Sequence, residues 1–190
     1  MPPKFKITKE MIVDAGVEIV RESGIESINA RTIAKRLNCS TQPVLYSFKT
    51  IEEVKCAIYE KLDHYHTEYL MNIQDEDILL GIGLNYIRFA IREPNSFRFL
   101  FQSAYAKENS LLEMVESEEL RPVLSVMQQA MGMTAERTKE IFLTIALFAH
   151  GYASIIANNA LEFDEKVIAM HLKRAYRGAV LATEEAAYDE

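Results

Sequence analysis

The chain has 190 residues, 49% hydrophobic and 26% charged, with a net charge of −7 and a pI near 5.2. That balance supplies enough apolar material for an ordinary globular core and excludes a disordered chain. No stretch approaches the roughly 18 consecutive apolar residues of a membrane span, and Met1-Pro2-Pro3-Lys4 leads into no apolar signal core, so a cytoplasmic protein with no membrane partner is expected.

Residues 7–24 predict a first helix. Thr8 is placed to cap it, Ile12, Val13, Ala15, Gly16, Ile19 and Val20 recur at helical spacing, and Gly24 ends it. A second helix follows Asn29, whose side-chain oxygen suits the unpaired N–H groups of a first turn, with Ala30, Ile33, Ala34 and Leu37 on one apolar face. Asn38 closes it, since Asn tolerates left-handed backbone better than most residues, and Ser40 is placed to cap the next helix. In that third helix Pro43 falls in the first turn, where a missing N–H costs nothing. Val44, Leu45 and Phe48 form its expected apolar side, leaving Thr41, Gln42, Tyr46, Ser47 and then Lys49 outside. Two short helices joined by a tight turn, the second polar where a partner would lie, are the arrangement of a helix-turn-helix reading the DNA major groove. Gln can pair with an adenine edge, Thr and Ser can bond base edges or phosphates, and a Tyr hydroxyl or Lys ammonium suits a phosphate oxygen.

Across residues 7–60 the chain resembles the tetracycline-repressor (TetR) family of bacterial transcription regulators. The family pattern Ile-Leu-x-Ala-Ala-x-x-Leu-Phe ending in Gly is similar to Ile12-Val13-Asp14-Ala15-Gly16-Val17-Glu18-Ile19-Val20 ending in Gly24, and x-Val-Arg-x-Ile-Ala-x-x-x-Gly-Val-Ser is similar to residues 29–40. The family's Leu-Tyr-x-Tyr-Phe corresponds to Val44-Leu45-Tyr46-Ser47-Phe48, which places Leu45 where a phosphate-contacting Tyr is common. Tyr46 is expected to take over that contact, because Leu45 gains more by burial. Thr41-Gln42-Pro43 matches a subgroup in which Gln and Pro lie at the groove, and Arg31 matches a position that often meets phosphate. The resemblance implies an all-α fold: a three-helix DNA-binding domain over residues 1–50, then a helical ligand-binding and dimerisation domain over residues 51–190, linked by helix 51–71.

Charge is divided in the same sense. Residues 1–60 carry nine Lys and Arg against eight Asp and Glu, whereas residues 61–190 carry twelve against twenty. An acidic pI does not exclude nucleic-acid binding, which needs only a local basic face. Lys4, Lys6, Lys9, Arg31, Lys35, Arg36, Lys49 and Lys55 can supply one, with the tail from Lys4 to Lys9 either reaching the DNA or disordered. Cys39 and Cys56 are expected as thiols.

Beyond residue 50 the periodicity predicts helices over 51–71, with a stripe of Val54, Ile58, Leu62, Tyr65 and Tyr69, and over 78–92, stopping ahead of Pro94. Asn95 or Ser96 is expected to cap a short helix holding Phe97, Phe99, Leu100 and Phe101. Further helices are expected over 111–115, 118–131, 135–159 and 164–185, the boundary of the second being blurred by Pro122. In the TetR family the last two helices pair with a second copy as a four-helix bundle, which implies a homodimer here. Ile145, Ala149, Tyr152, Ala153 and Ile156, with Leu172, Ala175 and Ala179, are the expected interface; the same small-residue faces also suit the internal core of a monomer. A second mixture, Tyr59, His66, Tyr69, Tyr86, Phe89, Phe97, Phe101, Phe142 and Tyr152, is the expected lining of a pocket for a small, mostly apolar effector.

His64 and His66 diverge on a helix, and neither joins His150 or His171 in a metal-ligand spacing. There is no Gly-rich phosphate loop or nucleophile elbow, so no enzyme, metal or cofactor is expected. The expected function is a ligand-released repressor that binds an inverted-repeat, double-stranded operator as a dimer. A helical protein-interaction adaptor that has lost DNA readout is the alternative, motivated by Leu45 and the acidic balance.

Overall fold

A computed structural model of the chain describes residues 7–105, 110–159 and 162–186, the last three without their side chains. Lys4 and Lys6 lie outside the described residues. Those residues form ten α-helices and no strand: α1 (Lys9–Ser23), α2 (Ala30–Arg36), α3 (Gln42–Ser47), α4 (Ile51–Met71), α5 (Ile78–Arg92), α6 (Pro94–Phe101), α7 (Leu111–Val115), α8 (Arg121–Met131), α9 (Ala135–Asn159) and α10 (Glu165–Ala186). By packing they fall into two units, the described parts of Met1–His64 with Asn95–Ala106, and of Tyr65–Pro94 with Lys107–Glu190.

In the first unit, Thr8 Oγ1 accepts from the Met11 N–H at 3.2 Å to start α1. Gly24 ends it at φ 79°, where a side chain would be strained, and donates its N–H to the Val20 carbonyl at 2.8 Å. α1, α2 and α3 pack pairwise around buried Ile12, Ile19, Val20, Ile33 and Val44. Gly16 lets α4 approach α1, since a Cβ there would collide with the Ile58 side chain. α6 returns to this unit: the Asn95 amide donates to the Arg21 carbonyl at 2.9 Å, and Phe99 meets Tyr59 edge-on at 5.7 Å. Asn95 and Ser96 therefore lie inside α6 rather than capping it. Pro94 is the first helical residue, a position that suits its fixed φ and missing N–H.

In the second unit α5, α8, α9 and α10 pack on one another. Leu70, Ile82, Val123, Met127, Ile141, Ile145, Tyr176 and Ala179 form one buried cluster. The buried Asn85 amide donates to the carbonyls of Tyr69, Leu70 and Asn72 at 3.3, 3.2 and 3.1 Å, closing the end of α4. Its oxygen accepts from Arg88, which also bonds Asp75 at 3.1 Å and grips Glu165 with two nitrogens. Over its last turns α4 buries His66 and Leu70, while Tyr65 and Tyr69, expected on the buried stripe, are half-exposed. α8 starts at Arg121 rather than 118, because Pro122 fits only a first turn. α9 is long and apolar enough to cross a membrane by composition, with a mean hydropathy of 1.6, but here it packs against α5, α8 and α10.

Candidate nucleic-acid interface

The local chemistry of residues 29–53 fixes how α3 is presented. Asn29 Oδ1 accepts from the N–H groups of Arg31 and Thr32, both at 3.0 Å, and Thr32 Oγ1 accepts in return from the Asn29 N–H at 3.1 Å. This reciprocal cap sets the start of α2. Asn38 closes the helix at φ 48°, and the Cys39 N–H donates to the Ala34 carbonyl at 2.9 Å. Ser40 is not the cap of α3. The residue before the helix is Thr41, which offers no side-chain cap but accepts the Leu45 N–H on its carbonyl at 3.1 Å. The turn thus takes one residue more than expected. After α3, the Lys49 N–H donates to Glu53 Oε2 at 2.8 Å and the Glu53 N–H to Thr50 Oγ1 at 3.1 Å, so the entry to α4 is pinned as well.

Val44 is the one side chain of α3 that is fully buried, at 2% exposure. Leu45, expected beside it in the core, is 63% exposed, and Tyr46 is 81% exposed. At about 100° per residue a six-residue helix that turns Val44 inward has room for one buried row, and Leu45 falls outside it. Gln42, Leu45 and Tyr46 share the outward face, where Gln42 Nε2 donates to the Tyr46 hydroxyl at 3.3 Å. Lys49 is exposed just past the helix, and Ser40 just before it; Thr41, Pro43 and Ser47 are half-buried.

The basic contribution is narrower than the sequence suggests. Arg31 and Lys35 are exposed on α2, but Arg36 bonds Glu18 at 3.0 Å and also grips Glu22. Its hydrogen bond holds the Glu22 carboxyl below its usual range. Lys55 pairs with Glu52 at 3.0 Å, and the Lys9 ammonium lies 5.2 Å from the centre of the Phe48 ring.

The residues expected to line an effector pocket divide between the two units. Tyr59 and Phe97 are buried in the first unit, where Phe97 meets Phe101 at 5.1 Å, so they fill its core. The second unit gathers the others. His66 lies edge-on to Tyr86 and Phe89 at 5.4 and 4.8 Å, Tyr69 meets Phe89 at 5.4 Å, and Tyr86 Oη is hydrogen-bonded to His150 Nδ1 at 2.9 Å. Burial pushes the His66 imidazole down to about 3, lowers His150 below its ordinary value and raises the Tyr86 hydroxyl. Tyr152 is hydrogen-bonded to His171, and Phe142 is half-buried against the Ile141 and Ile145 cluster.

The expected dimer face is turned inward. Ile145, Ala149, Ala153, Ile156, Leu172 and Ala179 are buried within the single chain, and Tyr152 and Ala175 are half-buried. The opposite sides of α9 and α10 expose Leu147, Ile155, Val167, Met170 and Leu181. Gly151 and Gly178 lie on those sides with open space where a Cβ would stand. The outward side of α9 is apolar as well, and that of α10 mixes its apolar residues with exposed Lys166, Lys173, Arg174 and Arg177, so small-residue spacing does not by itself tell the face packed within the chain from the face left outside.

No protein-family model matches the chain. A Bacillus subtilis (strain 168) protein, described as an uncharacterized HTH-type transcriptional regulator, YobS, is 21% identical over 174 residues, covering 88% of each chain. Among solved structures, a TetR-family member from Streptomyces coelicolor A3 superposes with a TM-score of 0.58 at 16% identity, over 88% of this chain and 96% of that one. The multidrug binding protein EbrR, complexed with ethidium, gives 0.60 at 13% identity over 88% and 97%. The chain therefore has the fold of the TetR-family regulators, with α2 and α3 as its helix-turn-helix.

Proposed function

We propose that the protein is a sequence-specific transcriptional regulator of the cytoplasm, which binds an inverted-repeat DNA operator as a homodimer and is released by a small-molecule effector. The observation that carries this reading is α3 itself: a short helix anchored by Val44, held between the capped α2 and the pinned entry to α4, with Gln42 and Tyr46 turned outward and Lys49 beside them. Ser40, Thr41, Pro43 and Ser47 surround that face, and Arg31 on α2 offers a phosphate contact. The likeness to regulators in fold and sequence supports it. Two copies are needed because one such helix offers little affinity, whereas two on a two-fold axis read half-sites about one helical turn or more apart. The exposed Leu147, Ile155, Val167, Met170 and Leu181 are the apolar side chains available for that pairing.

EbrR is described in complex with ethidium, and the ring cluster of His66, Tyr69, Tyr86 and Phe89, with Tyr152 beside Phe148 and His171, suits a mostly apolar effector here. An effector releases the operator only through its differential affinity for the two arrangements of the dimer. Selection of duplexes from a random pool by the purified chain, at near-physiological salt, tests the reading. Enrichment of an inverted repeat whose binding falls by about 1–3 kcal/mol in Gln42→Ala or Tyr46→Ala, with the fold intact, is the expected result. Enrichment of no common sequence, with and without candidate effectors, refutes it.

A further inference from the structure

Residues 29–49 contain no acidic residue and expose Arg31, Lys35 and Lys49, which suits the phosphate backbone, while Arg36 is paired with Glu18 and Glu22. Within that segment Leu45 stands on the same outward face as Gln42 and Tyr46, 63% exposed. An isolated surface leucine is ordinary, but this one stands beside Gln42 and Tyr46, on the flank of the face that would enter the groove. In the major groove a leucine over the polar edge of guanine, cytosine or adenine would desolvate donors and acceptors without pairing them. Thymine alone offers an apolar group there, its C5-methyl. We infer that Leu45 is a specificity residue that reads thymine in each half-site by packing its isobutyl group on the C5-methyl, beside a base edge held by Gln42. This rests on the reading of α3 as the groove-entering helix. It replaces the phosphate contact that the aligned position makes in the resemblance with a contact to a base.

The test uses the full chain and the duplex population enriched from the random pool, re-synthesised with deoxyuridine in place of thymidine. That change deletes every C5-methyl and leaves base pairing intact. The wild-type chain is expected to bind the deoxyuridine duplexes roughly fourfold more weakly for each half-site. Leu45→Ala, at an exposed position, should keep its thermal midpoint and bind the two populations within about twofold of each other, while Leu45→Met, which keeps an apolar tip, should retain the preference for thymidine. Equal wild-type binding to both populations overturns the inference, as does an undiminished preference in Leu45→Ala or an enriched sequence with no fixed thymine; in each case DNA recognition itself stands. If no duplex is enriched, groove reading and the role of Leu45 fall together.

Discussion

Acidification should weaken the second unit, with His66 contributing the most. His66 is 5% exposed on α4, with Tyr86 and Phe89 edge-on to its ring. Burial lowers its pKa from 6.5 to about 3, so the folded chain holds a neutral imidazole that the unfolded chain protonates below pH 6.5. Stability therefore rises with pH between those two values, at a slope of at most about 1.4 kcal/mol per pH unit. Its contribution is fully present above about pH 6.5 and is lost progressively as pH falls toward 3. Between about pH 7.5 and about pH 5 the loss works out to roughly 2 kcal/mol, a sizeable part of a typical domain's 5–15. The assay is urea unfolding, followed by far-ultraviolet circular dichroism at both pH values, for wild type and His66→Phe. The phenyl ring keeps the shape and removes the titration, so carboxylate effects common to both chains cancel. The wild type should lose about 2 kcal/mol more than the variant on acidification, close to 1 M in urea midpoint for an ordinary slope. Parallel losses in the two chains would show that His66 takes up its proton without unfolding, and would refute the argument from burial.

Asn85→Ala leaves three carbonyls at the end of α4 without their donor and removes an acceptor from Arg88; a loss of about 2–4 kcal/mol in chemical denaturation is expected. Gly16→Ala gains about 1 kcal/mol of helix propensity but forces its methyl group into Ile58, so a net destabilisation is expected, with Ile58→Val recovering part of it in the double variant. Leu147→Glu combined with Ile155→Glu places charge on the outward side of α9; sedimentation should show a monomer with native helicity, whereas an Ala149→Glu change should damage the fold itself.

Much of this architecture is written in local chemistry. Thr8 and Gly24 bound α1, Asn29 and Asn38 bound α2, and α4 and α5 run between the residues that periodicity indicates, because caps and breakers act over a few residues and need no tertiary partner. Helical phase at the end of an element is different. Leu45 and Phe48 read as one apolar side with Val44, but Phe48 leaves the helix in an extended conformation and Leu45 turns to solvent. Tyr65 and Tyr69 likewise lose the buried row of α4 to His66 and Leu70. In α6, Asn95 looks like a cap because its chemistry suits one, yet it serves a different helix, donating to a carbonyl near the end of α1 that lies 74 positions earlier in the chain.

The harder problem is a helix apolar on more than one side, as α9 is. Small residues permit close approach whether the neighbour is α10 of the same chain or a helix of another copy, so spacing alone cannot assign a face. Burial assigns it here: Ala149 and Ala153 lie within the chain's own core, while Leu147, Gly151 and Ile155 occupy the outer row. The same contrast bears on α3. An apolar residue turned outward beside Gln42 and Tyr46 is uninformative by sequence, since Leu is a common core residue, and becomes informative once Val44 is seen to fill the inward row alone. In both helices, the residues that core packing leaves outside are the ones whose substitution separates recognition from folding.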